Sequence, residues 1–117
     1  MKKKKDINYL ELTPYRKHEH EIKEDGNVNV LVPRYTDFIL GKLLQPRLKN
    51  KFIRANLDEF GTATWLTIDS NTKVSDIAIK LENKYGAEIQ PVIPRLTTYL
   101  TQLYNAGFIS FSELKKK

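Results

Sequence analysis

Leu57-Asp58-Glu59-Phe60-Gly61-Thr62-Ala63-Thr64-Trp65-Leu66-Thr67-Ile68-Asp69 is where the hydrophobic pattern of this chain changes period. Just before it, residues 51–58 alternate, with Ile53, Ala55 and Leu57 on one face and Phe52, Arg54 and Asn56 on the other, which predicts a strand. From Gly61 the spacing of Ala63, Trp65, Leu66 and Ile68 suits a short helix, and Asp69-Ser70-Asn71 marks its end. Val74, Ile77, Ala78, Leu81 and Tyr85 then form one helical stripe, with Gly86 placed to cap it. Pro91 and Pro94 fit the first turn of a further helix, where a missing amide proton is no loss. Its stripe of Leu96, Leu100, Leu103 and Tyr104 runs to Gly107, and Phe108, Ile109 and Phe111 read as a short closing strand.

Upstream, Asp25-Gly26-Asn27 is a turn before Val28, Val30 and Val32 take up a period of two, and Pro33 ends that strand because it cannot donate to a ladder. Residues 15–23 alternate without an apolar face and read as the charged first strand of this hairpin. The expected fold is therefore α+β and winged-helix-like: a three-stranded antiparallel sheet packed on a three-helix bundle. One domain is expected over residues 15–111. Residues 1–14 read as a polar tail of which part packs, and 112–117 as a basic tail. Residues 36–50, where Gly41 and Pro46 break any long helix through Phe38, Ile39, Leu40, Leu43 and Leu44, read as an inserted loop.

A chain of 117 residues, 40% of them apolar, supports one core. No run approaches the roughly 18 apolar residues that span a bilayer, and the lysines at 2–5 are not followed by the apolar segment of a secretory signal. A cytoplasmic protein without membrane contact is expected. With no cysteine, thiolate nucleophiles and cysteine-based metal sites are excluded, and metal binding would rest on two histidines and carboxylates. His18 and His20 share one strand face and Glu19 and Glu21 the other, so this strand builds no metal site. Asp58, Glu59 and Asp69 are scattered around turns and form no catalytic pair; Asp69 reads as tightening its turn. No enzyme and no cofactor are expected.

The net charge of +6 needs to be located before it is interpreted. Lysines 2–5 and 115–117 supply seven of the twenty basic residues, so residues 6–114 carry thirteen basic against fourteen acidic groups. The body is close to neutral, and the lysine ends read as solvated tails.

The outer strands of a three-stranded sheet present unpaired backbone groups, which proteins usually defend with charge. Arg16, Lys17, His18, Glu19, His20, Glu21 and Lys23 crowd the first strand, whereas between Phe52 and Leu57 only Arg54 is charged. The third strand is the edge left open for a partner. Ile53 and Ala55, with Leu96, Tyr99 and Leu103 of the last helix, are candidates for a side-chain pocket. Leu96 and Leu103 suit ordinary core better, and Tyr99 suits a site better because its hydroxyl needs a polar partner. Arg54 and Arg95 are placed to grip an acidic peptide or to sit solvated. Trp65 reads as a core plug.

From Val28 to Phe111 the ordered set of these pieces resembles the coenzyme PQQ synthesis protein D (PqqD-like) family. The pieces are the hairpin ending at Pro33, the third strand into Leu57-Asp58, Gly61 four residues before Trp65, Ile68-Asp69 followed by Val74 and Ile77, and the last helix into Gly107-Phe108-Ile109. The resemblance implies a peptide chaperone, or recognition element, for ribosomally made, modified peptides. Such a protein holds a precursor's leader as an added strand and presents it to a modifying enzyme, often a radical-SAM one. Carried onto this chain, the docking cleft would involve Lys51, Phe52, Ile53, Arg54, Ala55 and Leu57 of the third strand and Arg95, Leu96, Tyr99 and Leu103 of the last helix. Two features depart from the family pattern: Ser70 stands where glycine is common, and residues 36–50 lengthen the link before the docking strand.

The competing expectation is a winged-helix DNA-binding protein with its last helix in the major groove. That helix offers Arg95, Gln102 and Asn105 and no lysine, which with a near-neutral body argues against specific nucleic-acid binding. The expected partners are a leader peptide and a modifying enzyme, met by a monomer or weak dimer.

Overall fold

The computed structural model describes residues 8–33 and 52–114. Along the chain these form strands β1 (Pro14–Arg16), β2 (Glu19–Ile22), β3 (Val28–Pro33) and β4 (Phe52–Asn56), helices α1 (Glu59–Thr67), α2 (Val74–Tyr85) and α3 (Val92–Asn105), and strand β5 (Ile109–Phe111). The class is α+β, with a three-stranded antiparallel sheet in the order β2-β3-β4 and three helices. The chain falls into two compact units, residues 18–58 and residues 1–17 with 59–117. The expected loop at 36–50 and Lys51 lie outside the described residues.

In the first unit, β2 and β3 form the expected hairpin. Lys23 N–H donates to the Asn27 carbonyl and Gly26 N–H to that of Lys23, while Asn27 N–H is held by the Asp25 carboxylate at 2.9 Å. β4 pairs with β3 from Asn29 opposite Asn56 to Pro33 opposite Phe52. Val28 and Val30 are fully buried, as the alternation of this strand requires. One sequence expectation is corrected: residues 15–23 are two strands, since Pro14–Arg16 pairs with Ile109–Phe111 and only Glu19–Ile22 joins the hairpin.

The second unit is built around α1. Gly61, Thr62, Ala63, Thr64 and Trp65 are all buried, so this helix has no solvent stripe over its middle. The buried Thr64 hydroxyl is satisfied by the Phe60 carbonyl at 2.9 Å. α2 and α3 each bury an apolar stripe, Val74, Ile77, Ala78 and Leu81 on one and Val92, Leu96, Leu100 and Leu103 on the other, whereas Tyr104, expected on the α3 stripe, lies one position beyond it and is exposed. α3 stops because Gly107 takes φ +85°, the left-handed conformation that glycine adopts without strain. Gly107 N–H then reaches the Tyr104 carbonyl and Phe108 N–H the Leu103 carbonyl, the paired bonds of a Schellman cap.

Asp69 tightens the turn between α1 and α2, accepting from Asn71 N–H at 2.9 Å and from the Thr72 hydroxyl at 2.8 Å. Ser70 sits inside it at φ +72°, the one described residue other than glycine with positive φ. The departure from glycine therefore falls where a side chain is strained. Ser70→Gly is expected to raise unfolding stability by about 0.5–1 kcal/mol, measured by urea denaturation.

Residues 8–14, the end of the expected polar tail of which part packs, form with 15 and 16, expected to start the hairpin, a packed strap. Leu12 is buried, and its carbonyl accepts from Val74 N–H at 2.9 Å. The Tyr9 ring meets Phe111 edge-on at 5.7 Å, and its hydroxyl lies 3.2 Å from that of Thr101. Thr13 is clasped by Glu113, which accepts its N–H at 2.7 Å and its hydroxyl at 2.8 Å. Burial works against charge on Glu113, but these two bonds outweigh it and hold the carboxyl below its ordinary value of 4.5.

Asp69 is held below 3.8 chiefly by Asn71 N–H, then by Thr72. A carboxyl depressed in the folded state adds stability above its unfolded pKa and loses it as the pH falls toward the folded value. The urea midpoint is therefore expected to be flat from about pH 7 to 5 and to drop below about pH 4.5. Glu113→Gln should make that drop shallower.

Candidate functional site

The residues expected to bind a peptide fall in both units, and each set is described by itself. In the first unit they lie on β4 and at Leu57. Leu57 N–H donates to the Val28 carbonyl at 2.9 Å, which makes these residues a hydrogen-bonded pair of the antiparallel ladder. Bonded and non-bonded pairs alternate, so in the observed register Ala55 and Ile53 also direct their N–H and C=O groups at β3. The backbone groups of Phe52, Arg54 and Asn56 point the other way, to the side where no further strand of the described residues pairs.

This edge also carries exposed apolar side chains. Ile53 is 52% exposed and Phe52 37%, on opposite faces of the strand, while Ala55 is half-buried and Leu57 buried. Arg54, the one charged side chain of β4, is engaged across the sheet: its Nε donates to the Glu21 carboxylate at 2.7 Å. Asn29 donates to the same Glu21 oxygen at 3.0 Å. Glu21 is held below its ordinary pKa by the bond from Asn29 first and that from Arg54 second. Arg54 is thus part of a polar network on the sheet, a role its spacing in the sequence did not reveal.

In the second unit they lie on α3. Leu96 is 0% exposed and Leu103 5%, so both are core and offer a ligand no surface; the α3 stripe that contains them faces inward. Arg95 and Tyr99, one turn apart, meet on a third residue absent from the expected site, Phe60 of α1. The Arg95 guanidinium lies over the Phe60 ring at 4.7 Å from its centroid, and Tyr99 meets that ring edge-on at 5.8 Å. Arg95 is exposed and Tyr99 half-buried. Phe60 follows the apparent strand end in the sequence, where nothing distinguishes it from a core residue.

The described residues hold no cluster of histidine and acidic side chains able to bind a metal ion. No helix among them is long and apolar enough to cross a membrane. A shallow groove lies on another flank of α3, lined by Tyr9, Thr97, Thr98, Thr101 and Gln102.

The family model of coenzyme PQQ synthesis protein D (PqqD) matches residues 50–109, just over half of the chain. No curated protein and no solved structure matches. The matched stretch contains β4, all three helices and the start of β5. The chain belongs to the coenzyme PQQ synthesis protein D family, whose part in that synthesis is a non-catalytic, peptide-binding one.

Proposed function

We propose that this protein holds a precursor (leader) peptide as an added strand along β4 and presents it to a modifying enzyme, such as a radical-SAM enzyme, that performs the chemistry. The observation that carries this reading is the state of the β4 edge. Its outward backbone groups have no partner strand among the described residues, it exposes Ile53 and Phe52, and its one charge is turned onto Glu21. An edge of that kind is what strand addition requires, and proteins that do not use such an edge usually block it. Phe52, Arg54 and Asn56 together could make up to about six main-chain bonds at roughly 0.5–1.5 kcal/mol each, comparable with the ~8 kcal/mol of micromolar binding. Side chains on β4 would select the sequence.

The test is a titration of the isotope-labelled protein with leader peptides encoded beside its gene, followed by backbone amide NMR, with a random DNA duplex as control. Shifts on residues 52–57 and on α3 with peptide are expected. Binding that leaves β4 unmoved would exclude strand addition, and shifts along α3 with DNA alone would replace the reading with a nucleic-acid one.

A further inference from the structure

We infer that Asn56, backed by the buried Asn29, selects a hydrogen-bond-donating side chain (lysine, arginine, asparagine or glutamine) and rejects aspartate and glutamate at one position of the peptide strand added to β4. The inference rests on the docking-strand reading and adds the chemistry of the residue that this edge recognises.

In the observed register Glu21 stands opposite Asn29 and Asn29 opposite Asn56, so the three side chains form one row across β2, β3 and β4 on one face of the sheet. The first link of the row is made. Asn29 Nδ2 donates to Glu21 Oε2 at 3.0 Å, and the same oxygen accepts from Arg54 Nε at 2.7 Å. An ionised carboxylate only accepts, which fixes the Asn29 amide with its nitrogen toward Glu21. Its Oδ1 is left on the other edge of the amide, buried and with no donor among the described residues. Asn29 as a whole is 6% exposed, and a buried amide oxygen in this state is a group whose partner is still to be supplied.

The neighbour placed to supply it is Asn56. Val28 and Leu57 are a hydrogen-bonded pair of the ladder, so Asn29 and Asn56, the next pair, are a non-hydrogen-bonded one, with Cα atoms about 4.5 Å apart and side chains at their closest. Asn56 is exposed on the edge strand, where holding its amide in one rotamer costs entropy that no contact offsets. A strand laid along β4 covers it. Antiparallel addition, the sense of every pair in this sheet, sets one peptide residue opposite Asn56, bonded to its outward N–H and C=O and with its side chain on the face of the row. Asn56 then donates through Nδ2 to Asn29 Oδ1 and turns its own Oδ1 to the peptide. That oxygen takes a donor, whereas a peptide carboxylate would meet an acceptor, with the Glu21 carboxylate at the far end of the row. Every bond of the row thus runs toward Glu21. The other two β4 side chains on this face differ, since Arg54 is already tied to Glu21 and Phe52 is apolar.

The experiment selects peptides from a displayed library of random linear sequences on the full chain and on its Asn56→Lys and Asn29→Ala variants. Wild type should enrich donor side chains and deplete aspartate and glutamate at one position of the selected peptides. Asn56→Lys should reverse that preference toward acidic residues, and Asn29→Ala, which lies a strand away from the peptide, should relax it. For one selected peptide, Asn56→Ala and alanine at the donor position should each weaken binding about three- to tenfold. Combining the two should add little beyond either alone. Peptides that bind β4 with no donor preference, or with one that survives Asn56→Lys or Asn29→Ala, would overturn the inference and leave the docking strand standing. Selection of no peptide, or of peptides that leave the backbone amides of β4 unmoved, would overturn both. Unchanged amide spectra of the free variants away from the substituted row would establish that folding is intact.

Discussion

Trp65→Ala is expected to cost about 3–5 kcal/mol of unfolding stability, a large share of the ~5–15 kcal/mol that holds a typical domain together. The indole is fully buried at the end of a run of five buried residues, meets the Phe108 ring edge-on at 6.5 Å and lies under the Arg16 guanidinium at 5.8 Å. Alanine would leave a cavity that α1 cannot close, because Gly61, Thr62 and Thr64 beside it are small and already packed. Trp65→Phe, which keeps an aromatic ring, should recover about half of the loss. As this is the single tryptophan of the chain, its fluorescence cannot report on the variants; circular dichroism in urea gives the comparison. A loss below about 1 kcal/mol for alanine would show that α1 repacks and that the indole is not the centre of this unit.

A pair of proline substitutions on β4 should separate the fold of the sheet from its use as a docking edge. The ladder register aims Ile53 N–H at β3 and Arg54 N–H away from it. Ile53→Pro therefore removes a bond inside the sheet and should cost about 1–3 kcal/mol of stability, weakening peptide binding only as a consequence. Arg54→Pro leaves the ladder to β3 intact and should change stability little, because the pair it breaks with Glu21 is half-exposed and screened by solvent. It removes an outward N–H and puts a ring on the docking edge, so leader-peptide affinity should fall about 10- to 100-fold. Arg54→Ala serves as the control, because it breaks the ion pair while keeping the N–H. If Arg54→Pro and Arg54→Ala bind peptide equally well, the peptide does not pair with β4.

α2 was legible because Val74, Ile77, Ala78 and Leu81 repeat at helical spacing and all four are buried. The hairpin turn at Asp25-Gly26-Asn27, the end of α3 at Gly107 and the role of Asp69 were legible for a related reason: each is decided by residues within a few positions of one another. The break between β1 and β2 was not, since an alternating charged run looks the same whether it pairs with one partner or two. Within the expected site, spacing alone placed Arg54 and Arg95 as equivalent grips. The structure gives Arg54 to Glu21, thirty-three positions away, and sets Arg95 on Phe60.

By itself, the sequence determined the element types, their order, the turns that separate them and an edge strand poor in charge, because periodicity and turn chemistry are local properties. The tertiary structure alone decided the two partners of the run 15–23, the strap clasped by Thr13 and Glu113 across a hundred positions, the commitment of Arg54 and the stacking of Arg95. Those outcomes depend on which distant groups the packed chain brings within hydrogen-bond or ring-contact distance. A pattern of apolar and charged residues does not contain that information, since many distant partners would satisfy the same pattern equally well.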